Sequence, residues 1–249
     1  MSTPPPAGRR PHDAAGWFDG WSEYAAIVES DLLRHRPVFR AIREWAFLCR
    51  PGPFTLADLG SGDSGFIADA FADTGLWSYT GVDLSRRALD RAAENLAGAG
   101  FRVRLVEADM LEWLRRGAAG DGEIDVLLSL YSVHHLPSEA KRTFLALAAA
   151  RLPPGGVLLF GDLFRRGDES REAWLEAFLG FLRGEWQGMP LSALANTTAH
   201  VTAHDFPETL DGLSTMAAES GFEATPRELF CDASGFYRVL CLTKPRGAA

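Results

Sequence analysis

Residues 54–65 read Phe-Thr-Leu-Ala-Asp-Leu-Gly-Ser-Gly-Asp-Ser-Gly, an apolar run that passes into a glycine-rich turn. The next apolar run, 79–82, ends at the acidic residue Asp83. A strand followed by such a turn is typical of a nucleotide or nucleoside cradle. The glycines let the backbone approach the ligand, and the next strand delivers a carboxylate to a ribose. The stretch therefore predicts a nucleoside-binding α/β domain.

Strands and helices alternate from this turn towards the C-terminus. Strands are predicted at 55–59, 79–82, 102–106, 124–128, 157–160, 224–230 and 237–243. Helices are predicted at 66–71, after Ser85 as an N-cap, at 138–151 and at 207–220. This alternation predicts a doubly wound sheet of seven strands built from right-handed βαβ units. The short turn 232–235 joins the last two strands, so the last strand should run antiparallel.

The regions that flank or interrupt this pattern suggest the domain organisation. Residues 1–15 are rich in proline, and we expect a disordered tail. Residues 16–50 carry an aromatic face at helical spacing and predict an N-terminal helical cap. The main domain covers 51–249. The succession of strands is interrupted after the fifth strand by residues 165–205, and we predict that this insertion forms a helical lid over the substrate.

Composition and charge restrict the functions to be considered. The chain of 249 residues carries a net charge of -8, which disfavours binding to nucleic acid or to an anionic membrane surface. It contains no apolar stretch of the roughly 18 residues that a membrane span needs. The three cysteines form no Cys-x-x-Cys pair, which argues against a disulfide framework or a zinc site. We therefore expect a cytoplasmic protein, a monomer or a homodimer, that does not act at a membrane.

A set of motifs, in chain order, resembles those of class I methyltransferases that use S-adenosylmethionine, over roughly 54–244. They are Asp-Leu-Gly-Ser-Gly at 58–62, Gly-Val-Asp-Leu-Ser at 81–85, Glu-Ala-Asp-Met at 107–110, Asp-Val-Leu-Leu-Ser at 125–129 with His-His-Leu at 134–136, and Leu-Pro-Pro-Gly-Gly at 152–156. Each motif alone is weakly specific, whereas the ordered set is specific because each one lies at a strand end or in a connecting turn. The resemblance implies a Rossmann-like sheet and S-adenosylmethionine as cofactor.

The glycine loop departs from the pattern of this family. Ser64 stands where the third glycine is expected, and Gly65 follows one position later. The spacing Gly60-x-Gly62-x-x-Gly65 fits a dinucleotide fingerprint equally well, so the loop alone leaves an NAD-dependent oxidoreductase open. The long segment before the first strand, and the motifs after strands three and four, favour the methyltransferase.

The resemblance also implies which residues hold the cofactor. Asp58 is expected to accept a hydrogen bond from the amino group, Asp83 from both ribose hydroxyls and Asp109 from the adenine amino group. Alone, each of these aspartates would equally fit a helix cap or a turn. The predicted cofactor contacts are Asp58, Gly60, Ser61, Gly62, Asp83, Leu84, Asp109, Met110, Ser129 and Leu130.

Histidines are the candidate catalytic residues. His135 follows the fourth strand, and we predict that it lines the site, with His134 second; a helix-capping histidine is the alternative. His200 and His204 have the spacing of metal ligands on a helix, but the Asn-Thr-Thr sequence at 196–198 argues against a helix there, and we predict no metal. The predicted substrate contacts are Tyr24, Tyr131, Trp174 and His200.

These residues favour methyl transfer to a small molecule. The donor is already activated, so alignment and desolvation can supply up to roughly 7–11 kcal/mol, and a base is needed only for a protonated acceptor. The predicted cap and lid suggest an enclosed pocket, and we therefore predict a small-molecule acceptor methylated at O, N or S. A methyltransferase for RNA or protein, an NAD-dependent oxidoreductase and a non-catalytic adenosylmethionine-binding protein are the alternatives.

Overall fold

The computed structural model describes residues 30–117, 122–187 and 190–247. Its strands are β1 (Phe54–Leu59), β2 (Leu76–Asp83), β3 (Arg102–Glu107), β4 (Val126–Leu130), β5 (Val157–Arg165), β6 (Glu208–Thr209), β7 (Arg227–Cys231) and β8 (Tyr237–Thr243). The sheet has the order β3-β2-β1-β4-β5-β8-β7, and β6 pairs with the end of β5. The predicted tail and residues 16–29 of the predicted helical cap, including Tyr24, lie outside the described residues.

The direction of the strands agrees with a doubly wound, Rossmann-like sheet. Strands β1 to β5 are parallel, and β8 runs antiparallel to both of its neighbours, as predicted. The seven predicted strands form the continuous sheet, and the short strand β6, which was not predicted, adds a parallel pairing to the end of β5. A strand of two residues is too short to show an alternating pattern. The strand order reverses between β1 and β4, and ligands bind in the crevice at such a switch point.

Helices cover both faces of the sheet. They are α1 (His35–Cys49), α2 (Ile67–Phe71), α3 (Arg86–Asn95), α4 (Met110–Arg116), α5 (Ser138–Arg151), α6 (Arg171–Glu185), α7 (Leu191–His204) and α8 (Leu210–Glu219). One core contains Ala57 of β1 with apolar residues of α4, α5 and α8. The opposite core contains Leu56 with α1 and α2, as expected when alternate strand residues face opposite sides. Among the described residues, no helix has the length and apolarity needed to span a membrane.

Capping side chains fix the helix starts nearest the crevice. The Ser85 hydroxyl accepts a hydrogen bond from the Ala88 N–H at 3.2 Å, which confirms this residue as the N-cap of α3. Asp109 caps α4, accepting from Leu111 N at 2.9 Å and Glu112 N at 3.0 Å. These bonds satisfy N–H groups that a helix cannot pair internally, and they hold both acidic loops in place.

Helices α6 and α7 fill the segment predicted as a lid. The prediction that 196–198 breaks a helix was wrong, because α7 continues through His204. Its buried residues, Ala193, Thr197 and Val201, recur every four positions, which places them on one face. Val201 joins the aromatic core of α6 and the ends of β5 and β8. Tertiary packing on this face outweighs the low helix propensity of asparagine and threonine.

Candidate active site

A cavity of about 560 Å³ lies at the carboxyl ends of the central parallel strands. Part of its wall, called here the cradle, consists of residue 58 and residues 60–62, 83–85 and 108–110. The other part, called the aromatic chamber, is lined by the aromatic side chains Phe39, Phe66, Tyr131, Phe178 and Trp186. Loops after β1, β2, β3 and β4 therefore meet helices α1, α6 and α7 around one continuous space.

The glycine loop needs glycine at two positions for different reasons. Gly60 has φ +80°, and a Cβ there would lie 2.6 Å from the Cβ of Ser132, so the two loops pack too closely for a side chain. Gly62 has φ +53°, and a Cβ there would have no atom within 4 Å, so its backbone borders open space. Ser64, which replaces the expected third glycine, adopts φ +52° itself and hydrogen-bonds through its hydroxyl to Tyr79.

Asp83 ties the glycine loop to the following helix. Its Oδ2 accepts from Gly62 N at 2.8 Å, and its Oδ1 accepts from Ser85 N at 2.8 Å. Burial raises the pKa of this carboxyl, and the backbone donors oppose that effect. The carboxylate lines the cavity beside the open glycine backbone, which is the position that a ribose-binding acid requires.

Asp58 is a buried carboxylate in the wall of the cradle, with 4% of its surface exposed. The Tyr79 hydroxyl donates to its Oδ2 at 3.0 Å and lies 2.8 Å from the Ser64 hydroxyl. Burial raises the pKa of Asp58 to about 7, although the bond from Tyr79 favours the ionised form. A cation bound next to this carboxylate would stabilise its negative charge, so Asp58 suits a ligand with an ammonium group.

The remaining predicted cradle residues divide between the cavity and the core. Asp109 uses Oδ1 for both capping bonds, while Oδ2 accepts none from the described residues, and Met110 lines the cavity beside it. Ser129 is 1% exposed, donates to Leu59 O and does not line the cavity. Ser132, which sequence reasoning missed, lines it instead. The predicted residues Ser61, Leu84 and Leu130 all line the cavity.

Of the predicted substrate residues, Tyr131 lines the aromatic chamber and Trp174 does not. Tyr131 lines it with a backbone φ of +53°, and its hydroxyl donates to Leu33 O at 2.6 Å. Trp174 is fully buried and does not line the cavity. It stacks on Phe178 with ring centroids 4.9 Å apart, so it supports the chamber wall from behind.

His134 is anchored by a carboxylate from the neighbouring strand. Its backbone N–H donates to Asp162 Oδ2 at 3.0 Å, and its ring Nδ1 hydrogen-bonds to Asp162 Oδ1. Both side chains are almost completely buried. The His135 ring lies 4.0 Å from the His134 ring and borders the cavity, so the two predicted histidines are adjacent at the edge of the chamber.

Asp205 brings a third histidine to the same place. Its Oδ1 lies 3.6 Å from His134 Nε2, 3.3 Å from His135 Nδ1 and 3.7 Å from His200 Nε2. Asp205 is 2% exposed, and its Oδ1 has no hydrogen-bond partner among the described residues. The end of α7 therefore delivers a carboxylate and His200 to the two histidines that follow β4, although these residues are far apart in sequence.

Burial and charge give these rings different proton affinities. Burial opposes a charge on His134, but Asp162 and Asp205 outweigh it and raise the pKa of this ring. Burial, reinforced by the neighbouring His134, lowers the pKa of His135. Burial lowers the pKa of His200 to about 4. His135 and His200 are therefore neutral at pH 7 and can offer a nitrogen lone pair.

Comparison with known proteins identifies the cradle. Residues 56–156 match the family model described as a methyltransferase domain. A ribosomal RNA large subunit methyltransferase K/L of Pseudomonas paraeruginosa is 39% identical over 112 residues, which cover 40% of this chain and 15% of that protein. An uncharacterised methyltransferase of Geobacillus kaustophilus is 27% identical over 212 residues, which cover 84% of this chain and 88% of that protein. Residues 56–156 are a methyltransferase domain of the class I, S-adenosylmethionine-dependent type.

A solved structure shows the same fold as this methyltransferase. The 1,6-didemethyltoxoflavin-N1-methyltransferase of Burkholderia thailandensis, in complex with 1,6-didemethyltoxoflavin and S-adenosylhomocysteine, superposes with a TM-score of 0.61. It is 20% identical and covers 98% of this chain and 93% of its own, so the likeness concerns the fold. The segment of this chain that matches the ribosomal RNA enzyme spans only 15% of the length of that enzyme.

The cradle of this methyltransferase fits S-adenosylmethionine, the cofactor of the family. Asp83 presents a carboxylate to the cavity, which suits the hydroxyls of a ribose, and the backbone of Gly62 leaves the approach open. Asp58 presents a buried carboxylate, a group that can pair with an ammonium group. The departure from the family pattern at Ser64 therefore does not close the loop, because the serine adopts the left-handed conformation that the turn requires.

Proposed function

We propose that this chain transfers the methyl group of S-adenosylmethionine to a small molecule with a flat, largely apolar ring system. The observation that carries the proposal is the continuity of the cradle with the aromatic chamber in one cavity of about 560 Å³. Small-molecule sites have volumes of roughly 300–1,000 Å³ and are lined mainly by apolar and aromatic side chains with a few polar groups. The chamber has this composition.

The cradle residues bind and orient the donor in this proposal. Asp58 holds the amino group, Asp83 accepts from the ribose hydroxyls, and Asp109 accepts from the adenine amino group through Oδ2, with Met110 against the ring. When bound, S-adenosylmethionine supplies an activated methyl group on a sulfonium, which transfers by in-line displacement. The protein's main contribution is therefore alignment in a site that excludes water.

The chamber residues hold the acceptor in this proposal. Phe178 and Tyr131 offer ring faces and edges to a flat molecule, and the rigid wall behind Phe178 is completed by Trp174. His135, 22% exposed, lies at the cavity edge and contacts the acceptor. His134 also lines the cavity, but its ring is buried against Asp162 and mainly positions His135.

The experiment that tests this function measures transfer of a labelled methyl group from S-adenosylmethionine. The acceptors are a panel of small aromatic and heteroaromatic hydroxyl, amine and thiol compounds and, in parallel, ribosomal RNA lacking methylation. Turnover with members of the small-molecule panel supports the proposal. Transfer to RNA with none to the panel would contradict it and favour the RNA methyltransferase that the partial relative suggests. The net charge of -8 argues against that alternative.

Replacing Asp83 by Ala is expected to weaken binding of S-adenosylmethionine by about 10- to 150-fold. This corresponds to about 1.5–3 kcal/mol, the contribution of hydrogen bonds to a charged group. The change also releases the N–H groups of Gly62 and Ser85, which increases the disorder of the loop. Isothermal titration measures the effect, with Asp90→Ala on the exposed face of α3 as control. Unchanged affinity in a folded Asp83 variant would disprove the ribose contact.

Binding of S-adenosylmethionine is expected to weaken as the pH falls from about 7 to 5.5. The pKa of Asp58 in the free protein is about 7, and only its ionised form pairs with the ammonium group. The α-amino group stays protonated in this range, since such groups have a pKa of about 7.7–8.0. Affinity should therefore fall by up to about tenfold per pH unit, with proton release on binding. Titrations across this range test the expectation, and a flat profile would refute it.

A further inference from the structure

We propose that His134, His135 and Asp205 bind a divalent first-row metal ion at the edge of the aromatic chamber. Each residue offers one ligand atom, and these atoms all lie within 4.8 Å of one another. His200 stands beside them, with its Nε2 3.7 Å from Asp205 Oδ1. Two imidazole nitrogens and one carboxylate oxygen, with further positions open, form a ligand set suited to zinc or ferrous iron.

The distances around Asp205 fit a shared ion better than direct hydrogen bonds. Hydrogen bonds between a charged N–H and a carboxylate measure about 2.7–2.9 Å. Ligand atoms placed tetrahedrally about 2.0–2.1 Å from a zinc ion lie about 3.3–3.4 Å apart. The observed separations from Asp205 Oδ1 are 3.3 Å to His135 and 3.6 Å to His134. Both nitrogen–oxygen separations are therefore close to the distance between two neighbouring ligand atoms of one zinc ion.

Asp205 supplies an independent observation. Its carboxylate is buried, and Oδ1 lacks a hydrogen-bond partner among the described residues. A buried charged oxygen without a hydrogen bond is costly; the histidine nitrogens around it lie 3.3–3.7 Å away, and a coordinated cation would satisfy it more directly. The side chain is also aimed at the imidazole nitrogens rather than at solvent. This unpartnered oxygen is therefore best explained as a ligand atom.

Asp162 gives His134 the arrangement of a metal ligand. Its carboxylate hydrogen-bonds to His134 Nδ1 and so places a proton on that nitrogen, which leaves Nε2, the atom that faces Asp205, to bind the ion in exchange for any proton it carries. Metal-bound histidines usually hold their second nitrogen in this way. Asp162 is itself fixed by the N–H groups of His134, at 3.0 Å, and Leu163, at 2.9 Å.

The backbone around Asp205 is also held in place. Arg171 Nε donates to Asp205 O at 2.8 Å, and its Nη2 donates to Thr202 O at 2.7 Å. The next residue, Phe206, donates its N–H to His134 O at 2.8 Å. The Arg171 bonds connect the start of α6 to the end of α7, and the Phe206 bond connects that end to the turn after β4. The ligands therefore come from segments that are locked together, as a preorganised site requires.

The open positions of the ion would face the chamber, where His135 and His200 line the cavity. A divalent ion there binds an acceptor through a hydroxyl or other oxygen donor and lowers the pKa of that hydroxyl. This role, unlike the metal site itself, rests on the proposed function. The acceptor class that it selects is a phenol, an enol or a related oxygen-bearing ring.

Metal content tests the site without any assay of activity. The full chain, purified after growth with zinc and desalted, is analysed by mass spectrometry, and chelator-treated protein is titrated with cobalt(II). We expect about one equivalent of zinc per chain and visible d–d bands of low-symmetry cobalt that zinc displaces. Folded wild-type protein that takes up neither zinc nor cobalt would overturn the proposal.

Variants assign the metal to these residues. Asp205→Asn removes the charge and keeps the shape of the side chain. His135→Gln replaces a ring that is partly exposed, so it is the easier change for the fold to tolerate and decides the question if the Asp205 variant does not fold. Both variants are expected to lose the stoichiometric ion. The control variant His204→Gln changes the last residue of α7, next to Asp205, and is expected to retain the ion. Full metal content in both ligand variants would place the ion elsewhere and refute the site. Titration with S-adenosylmethionine on the same samples separates this outcome from failure of the proposed function.

Discussion

Replacing Asp58 by Asn is expected to weaken binding of S-adenosylmethionine by about 30-fold or more. Truncating one member of a buried charged pair costs about 2–5 kcal/mol, because the other charge remains without a partner. Asp58 is 4% exposed, so water cannot replace its carboxylate next to the amino group. Isothermal titration gives the dissociation constant, and circular dichroism verifies the fold. The Asn variant should also lose the pH dependence between about 5.5 and 7.

Two controls separate charge pairing from loss of structure. Asp125→Asn changes a carboxylate at the opposite end of the sheet, where it accepts from Thr55 N at 2.8 Å. It does not line the cavity, and we expect wild-type affinity for the cofactor. Tyr79→Phe removes the hydroxyl that donates to Asp58 and should cost less than the Asn variant. Equal affinity of Asp58→Asn and the wild type would contradict the assigned contact.

Replacing His135 by Ala is expected to slow methyl transfer by about 100-fold while leaving the affinity for S-adenosylmethionine unchanged. Groups that hold or deprotonate a reacting atom commonly contribute about 10²-fold or more. The ring lies among His134, His200 and Asp205 and belongs to the chamber, not the cradle. Single-turnover kinetics with an acceptor found in the screen measures the rate, and titration measures the affinity.

The split between rate and affinity is the informative result for His135. A fall in rate at constant cofactor affinity assigns the ring to the acceptor side. Wild-type turnover would reduce His135 to a structural residue, and an equal loss of cofactor binding would place it in the cradle. The melting temperature of the variant serves as the control for folding.

The sequence predicted the cradle well because local motifs encode it. Asp58, Gly60, Gly62 and Asp83 belong to two strand-and-turn units whose spacing specifies both the backbone conformation and the position of the carboxylates. The supporting bond from Tyr79 to Asp58 was not predicted, since a tyrosine inside a strand has the same pattern as any core residue. The same holds for Ser132, which takes the place predicted for Ser129 at the cavity wall.

The chamber could not be predicted in the same way, because long-range packing assembles it. Asp205 was not among the predicted site residues, and helix α7 was rejected on propensity although its buried face stabilises it. Asp162 was missed inside an apolar strand, where a charged residue needs a partner and therefore signals a site. Trp174 has the pattern of a ligand-facing aromatic residue but lies behind Phe178. Which face meets the cavity depends on the docking of α6.

The most direct test of the central claim is a crystal structure of the chain with S-adenosylhomocysteine. We expect its amino group on Asp58, its ribose hydroxyls on Asp83 and its sulfur at the junction of the cradle and the aromatic chamber, on the side of His135. A ligand bound outside this cavity, or one whose sulfur faces away from the chamber, would contradict the account.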